Sequence, residues 1–393
     1  MSRHQTPAGT ANRAASARSA IDSFVVMDVM RAAADREARG ASIIHMEVGQ
    51  PGTPAPKAAR LAAAKALESD ALGYTLALGL PELRARIAAL YKDWYGIALS
   101  PERVVVTTGS SGAFVLAFLA LFDAGARVGL PSPGYPCYRH ILSALGCEPI
   151  VLQTGPESRW MPTPEQIVVT PGLDGLLLAS PANPTGTMLT PDHLAAIARL
   201  CETKNIAFIS DEIYHGLTYG QRAATALQFS DQAIVINSFS KYFSMTGWRV
   251  GWMIVPPHLV RTLERLAQNL FIAAPAVSQC AAIGAFDGIE ELEGNRRVYA
   301  ANRELLLNEL PAAGFSEIAP ADGAFYLYAD VSRMTVDSPA LARRILEEAG
   351  VAVTPGADFD AERGKRFLRF SYSGTAADME EAVRRLKAWR LRA

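Results

Sequence analysis

Ala233-Ile234-Val235-Ile236-Asn237-Ser238-Phe239-Ser240-Lys241, followed by Gly247-Trp248-Arg249-Val250-Gly251, is the stretch from which the fold can be read. The run Ala233 to Asn237 has the length and β-branched content of a short buried strand, and the serines and Lys241 fall just beyond its end. In an α/β sheet that is where ligands bind. A desolvated, deprotonated lysine amine attacks aldehydes, and two serines with an arginine supply the donors and counter-charge that a phosphate ester needs. Together they ask for a phosphorylated aldehyde. Taken alone, Lys241 is more often a surface lysine after a strand; the rest of the chain shifts that weighting.

Working outward, apolar β-branched runs alternate with helical patterns from about residue 60 to 290, as in a mostly parallel sheet covered by helices on both faces. The expected strands are Arg103 to Thr107, Arg127 to Leu130, Pro149 to Leu152, Gly175 to Ala179, Ile206 to Ser210, Ala233 to Asn237 and Val250 to Val255. The fold class is therefore α/β, with a seven-stranded sheet in a large domain at 59–288. A long charged helix from about Ile289 to Leu310 opens the last third. It continues with a strand at Gly323 to Ala329, a helix at Pro339 to Glu348 and a strand at Phe367 to Tyr372. With residues 21–58 this makes a smaller α+β domain at 289–393. Residues 1–20, rich in Ala, Ser and Arg, read as a flexible tail.

Half of the 393 residues are hydrophobic, so the chain can bury a large core. Thirty-eight basic side chains balance 39 acidic ones, leaving no field of one sign to recruit nucleic acid or an acidic membrane. The partner is expected to be a small molecule. Four cysteines lie scattered without metal-ligand spacing, which points away from zinc and towards a reducing cytoplasm. No apolar run is long enough to span a bilayer.

Several punctuated segments follow strand ends. Ser210-Asp211-Glu212-Ile213-Tyr214 places a carboxylate where it can pair with a protonated pyridine nitrogen and a phenol where it can reach a ring hydroxyl; a helix cap with a core tyrosine is the ordinary alternative. Ser180-Pro181-Ala182-Asn183-Pro184-Thr185-Gly186 is a stiff loop that presents Asn183 in one direction. Thr107-Thr108-Gly109-Ser110-Ser111-Gly112-Ala113 opens an apolar helix whose first amides and hydroxyls can cradle a phosphate. It matches no nucleotide fingerprint. Pro131-Ser132-Pro133-Gly134-Tyr135 brings an aromatic ring to a neighbouring strand end, where it either stacks on a flat ligand or joins the core.

In this order the segments closely resemble the class I/II aminotransferases of the fold type I pyridoxal-phosphate enzymes, from about Glu47-Val48-Gly49-Gln50-Pro51-Gly52 to the C-terminus. The resemblance implies pyridoxal 5'-phosphate as cofactor and Lys241 as its Schiff-base lysine. It implies that Gly109, Ser110, Ser111, Ser238 and Arg249 hold the phosphate and Asp211 the pyridine nitrogen. Tyr214 and Asn183 would reach the ring hydroxyl, and Tyr135 would stack on the ring. Tyr74, in Tyr74-Thr75-Leu76-Ala77-Leu78-Gly79, would reach the phosphate of a neighbouring subunit, which implies a homodimer. Arg369, in Phe367-Leu368-Arg369-Phe370-Ser371, and the amide of Gly49 would hold the substrate α-carboxylate. Strand alternation by itself would set Arg369 on a solvated face.

The implied reaction moves an amino group from an L-amino acid to a 2-oxo acid by ping-pong turnover. Asp211 would keep the ring protonated, and Lys241 would carry the proton. An aspartate-preferring subgroup has lysine where this chain has Ser111. Phe24, Val25 and the stretch Asn269 to Pro275 are mostly apolar, so the expected substrates are neutral or aromatic. The competing enzyme reading is a lyase or cyclopropane-forming synthase of the same fold. A sensor domain of a transcription regulator is disfavoured, because the residues before the resemblance carry no helix-turn-helix pattern.

Overall fold

The computed structural model describes residues 14–69 and 71–391. Seven strands form the main sheet: β1 (Val104–Thr107), β2 (Arg127–Ser132), β3 (Glu148–Gln153), β4 (Gly175–Ala179), β5 (Ala207–Asp211), β6 (Ile234–Ser238) and β7 (Gly251–Ile254). Their order is β1-β7-β6-β5-β4-β2-β3. All neighbours are parallel except β7, which runs against both β1 and β6. Every residue of β4 and β6 is buried, as expected for strands covered by helices on both faces. All seven expected strands are present, with ends shifted by no more than two residues.

The topology assembles the site. β4, β5 and β6 are parallel neighbours, so the segments after Ala179, Asp211 and Ser238 leave the sheet along one edge. The reversed β7 begins at that same edge, with Gly251 paired to both Thr107 and Ser238. Arg249 therefore stands beside the start of the helix Gly109–Leu121 rather than at the far end of the sheet.

A second sheet holds β8 (Glu317–Ile318), β9 (Tyr326–Asp330), β10 (Thr354–Pro355) and β11 (Phe367–Ser371), in the order β10-β11-β9-β8. Ile44–His45 pairs in parallel with Val351–Ala352, and the Ser371 amide donates to the Met46 carbonyl, so the early segment joins the C-terminal third. The strand expected from Gly323 begins only at Tyr326. Ala321 and Ala324 have φ of 53° and 59°, and Gly323 donates to Gly186, so this stretch turns against the large sheet before it can enter the small one. Of the expected N-terminal tail, residues 1–13 lie outside the described residues and Ala17–Ser19 form a short 3-10 turn. No described helix is long and apolar enough to cross a membrane.

Candidate active site

A cavity of about 290 Å³ opens where the sheet edge meets the second sheet. Lys241 lies in its wall, and its Nζ donates to the Gly49 carbonyl at 2.6 Å. Burial, aided by the charges of Arg369 and Arg249, lowers its pKa to about 8, while Asp211 pulls the other way. A neutral amine is thus accessible close to neutral pH.

Asp211 ends β5 with both oxygens engaged: Oδ1 accepts from the Ile213 amide at 3.0 Å and Oδ2 from the Tyr138 hydroxyl. Burial raises its pKa to about 6, opposed by Tyr138, Ile213 and Lys241. A cationic ring nitrogen placed against it would restore the carboxylate. Tyr214 lies on the same wall and bonds the Tyr326 hydroxyl at 2.8 Å.

Ser110 and Ser111 occupy the first turn of the helix Gly109–Leu121, where backbone amides lack helical partners. The adjoining Gly109 has φ of 72°, and a Cβ there would meet the Arg249 guanidinium at 2.5 Å. Only glycine lets that cation lie against the helix start. Arg249 and Thr246 complete this part of the wall. Ser238 does not reach it: its hydroxyl turns to Ser240 Oγ at 2.8 Å and to the Val250 carbonyl, and Ser240 faces the cavity instead.

Arg369 of β11 lines the same cavity and is 2% exposed, not solvated as alternation alone suggests. Its guanidinium carbon lies 4.3 Å from the Tyr326 ring centre and 4.8 Å from that of Phe359. It donates to Asn183 Oδ1, to Thr354 Oγ1 and to the Glu47 carbonyl, all neutral acceptors, while Nε has no partner among the described residues. A buried guanidinium with neutral hydrogen-bond partners and a spare donor is an incomplete site for a carboxylate. Gly49 completes this end, because a Cβ there would overlap the Tyr326 hydroxyl at 1.8 Å.

Tyr135 closes one side, edge-on to Phe24 at 5.9 Å and to Tyr138 at 5.2 Å. Phe24, Val26, Met27 and Met30 extend an apolar wall. Val25 does not line the cavity, nor does any residue of the stretch Asn269 to Pro275, where Leu270, Phe271 and Ile272 are partly exposed. Tyr74 is also off this wall and is 88% exposed. Tyr138 and Tyr326 escape the sequence reading, as do Thr246 and the wall residues Val26, Met27 and Met30; of the two serines before Lys241, it is Ser240 that lines the cavity. Tyr138 had a usable signal, since it follows Tyr135 by one helical turn. Tyr326 had none.

The family model for aminotransferase class I and II matches residues 41–386. The chain belongs to the class I and II aminotransferases. It is 50% identical over 377 residues to the valine–pyruvate aminotransferase of Mycobacterium tuberculosis, covering 95% of this chain and 97% of that one. The crystal structure of an aminotransferase from Mycobacterium tuberculosis superposes with a TM-score of 0.95 at 49% identity, over 97% of this chain and all of that one. The aspartate aminotransferase of Thermus thermophilus, solved with maleate, gives 0.90 at 30% identity over 96% of this chain and 100% of that one. The fold is that of the fold type I aminotransferases, and the activity is transfer of an amino group between an amino acid and a 2-oxo acid.

Behind Asp211 this aminotransferase buries a second carboxyl group. Glu212 Oε1 accepts from the Ser210 and Thr225 hydroxyls and the Ala226 amide, at 3.1, 3.0 and 2.8 Å. Its Oε2 lies 3.4 Å from His215 Nδ1. His215 Nε2 faces the Ser180 carbonyl at 2.9 Å, so that nitrogen carries the proton and Nδ1 accepts from the Tyr95 hydroxyl at 2.6 Å. Burial raises Glu212 to about 8, against those three donors, and lowers His215 to about 4. Burial thus favours the neutral form of each. The folded state therefore holds a proton on Glu212 that the unfolded chain releases above its ordinary value of 4.5, and this contribution to stability falls as pH rises from about 4.5 to 8. Glu212→Gln, which keeps the neutral shape, is expected to retain transaminase activity within about twofold. Its thermal midpoint should decline less than wild type's between pH 5 and 8. A midpoint that falls in parallel with wild type's would mean that Glu212 is charged when folded.

Proposed function

We propose that the cavity holds pyridoxal 5'-phosphate and that the enzyme exchanges amino groups between amino acids with neutral apolar side chains and a small 2-oxo acid such as pyruvate. The observation that carries this reading is the placement of the half-buried Lys241 amine between two complementary ends. One is the anion cradle of Ser110, Ser111 and Arg249, and the other is the partly unsatisfied guanidinium of Arg369. The close fit of Gly109 under Arg249 supports the phosphate assignment.

When bound, the cofactor supplies an aldehyde for the amine and a ring that accepts the electron pair left at the substrate Cα. Ser110, Ser111, Ser240 and Arg249, with the Gly109 turn, hold the phosphate, and Ser238 buttresses Ser240. Asp211, oriented by Tyr138, keeps the ring nitrogen protonated. Tyr214 and Asn183 donate to the ring hydroxyl, and Tyr135 flanks the ring. Arg369 and the Gly49 amide orient the α-carboxylate so that the Cα–H bond faces the reacting side. Lys241 Nζ, neutral once released, takes that proton. Residues 21–58 with 289–393 form the unit carrying Arg369, residues 59–288 the unit carrying Lys241, and the enzyme works in the cytoplasm.

The apolar wall of Phe24, Val26, Met27 and Met30 offers no cation for an acidic side chain, and Ser111 adds none. The valine–pyruvate activity named for the relative from Mycobacterium tuberculosis agrees with that wall. The test is a panel of amino acids added to the purified yellow protein without any oxo acid, followed by loss of its long-wavelength absorbance. Valine and other apolar amino acids are expected to react, with alanine formed once pyruvate is supplied. Release of pyruvate and ammonia from an amino acid alone would instead identify a lyase.

The active unit is a homodimer in which Tyr74 completes the partner's phosphate site. Its 88% exposure on the single chain, off its own cavity, supports this. Subunits carrying Tyr74→Phe, exchanged with subunits carrying Lys241→Ala, should regain activity above the mean of the two parents. Each mixed dimer then has one site with both native residues. Activity that only averages the parents would show that the sites are not shared.

A further inference from the structure

The helix Val25–Glu37 carries Val26, Met27 and Met30 into the cavity wall, with Phe24 as its N-cap; its later turns are held by Val29 and Ala33 against Ile43, Leu346 and Ala352 and by Arg36 donating to the Glu347 carbonyl, whereas its first turn buries Val26 alone. Only Val26 and Ala33 are buried along its length, Met27 is 51% exposed, and Phe24 offers no side-chain cap. A helix of this length has little stability of its own. Its first amide is instead satisfied from far along the chain: the Val25 N–H donates to Asp358 Oδ1 at 3.3 Å. A carboxylate there also meets the positive end of the helix dipole.

Asp358 is tied to the rest of the site on two further sides. Its carbonyl accepts from Arg139 Nη2 at 2.9 Å, and Arg139 lies on the helix Pro136–Leu145, which also carries Tyr138, the partner of Asp211. The next residue, Phe359, packs its ring on the Arg369 guanidinium. Asp358 is 2% exposed. Burial pushes its pKa up, while the Val25 amide, Arg369, Arg139 and the Val26 amide oppose that rise.

We propose that Asp358 is a specificity-positioning residue, which latches the start of the helix Val25–Glu37 to the segment packed on Arg369 and so fixes the apolar wall against the substrate side chain. The inference rests on the transaminase reading above and extends it to a residue outside the cavity. A substrate whose side chain reaches the wall depends on the latch. Alanine, whose methyl group is short, does not.

The test compares Asp358→Ala and Asp358→Asn holoenzymes with wild type, using valine and alanine as donors. Loss of a helix cap is typically worth a factor of about five, so Asp358→Ala should raise KM for valine by about that factor. Its kcat and its KM for alanine should stay within about twofold. Asp358→Asn keeps an oxygen acceptor and should recover most of the loss. Amide hydrogen exchange at residues 25–30, read on the same proteins, should quicken in the alanine variant and stay near wild type in the asparagine variant. Equal losses for valine and alanine, or unchanged exchange in Asp358→Ala, would overturn the latch. Wild-type protein that transaminates no amino acid would overturn the function it serves, and the exchange measurement would still decide whether Asp358 holds the helix.

Discussion

Lys241→Ala is expected to abolish transamination and covalent cofactor attachment together. The amine is half-buried, directed at the Gly49 carbonyl and flanked by the Tyr214 ring at 5.9 Å, and no other described side chain of the wall is an amine that could take its place. Removing a positioned proton carrier typically costs 10²- to 10⁴-fold in rate, and the proposed attachment point is lost as well, so turnover should fall by about 10³-fold or more. Two measurements read the result: the long-wavelength absorbance of protein reduced with borohydride, and product formation. Small amines added to the variant should restore part of the proton transfer. Normal turnover without added amine would remove Lys241 from the mechanism.

Arg369→Lys is expected to lower kcat/KM by roughly one to two orders of magnitude for every amino acid, with cofactor content unchanged. Charge-assisted hydrogen bonds contribute about 1.5 to 3 kcal/mol each, and lysine keeps the charge while losing the planar pair of donors. The environment sharpens this. The guanidinium is sandwiched between Tyr326 and Phe359 and already donates to Asn183, Thr354 and Glu47, a geometry that an ammonium group cannot reproduce. Because all amino acids share the α-carboxylate, the loss should be uniform across side chains, unlike the selective loss expected at Asp358. A variant impaired for one side-chain class only would show that Arg369 reads the side chain.

Much of the fold was legible because its signals are local. The strands of the large sheet are short apolar runs, several of them ended by small or polar residues, and that pattern survives translation into three dimensions with ends shifted by a residue or two. The residues at those ends, Asp211, Asn183, Ser110, Ser111 and Lys241, do converge on one cavity, because parallel neighbouring strands must release their carboxyl ends along one edge. The small sheet was less legible. Its strands β8 and β10 are two residues each, too short to show a period, and they exist only through pairing with β9 and β11.

The sequence by itself determined the α/β class, the strand ends and the resemblance of their residues to an aminotransferase site, since each of these is written in contiguous residues. The tertiary structure decided the burial of Arg369, because the large sheet's loops and Phe359 cover a strand face that alternation leaves open. It turned Ser238 away and Ser240 inward through one hydrogen bond between their hydroxyls. It also buried Glu212 and His215, favouring their neutral forms, and set Asp358 on the start of a helix 333 residues earlier. For Arg369 and Asp358 the deciding partner is distant in sequence, whereas the Ser238–Ser240 bond and the donors to Glu212 are local; desolvation and hydrogen bonding act on neighbours in space, whatever their separation along the chain.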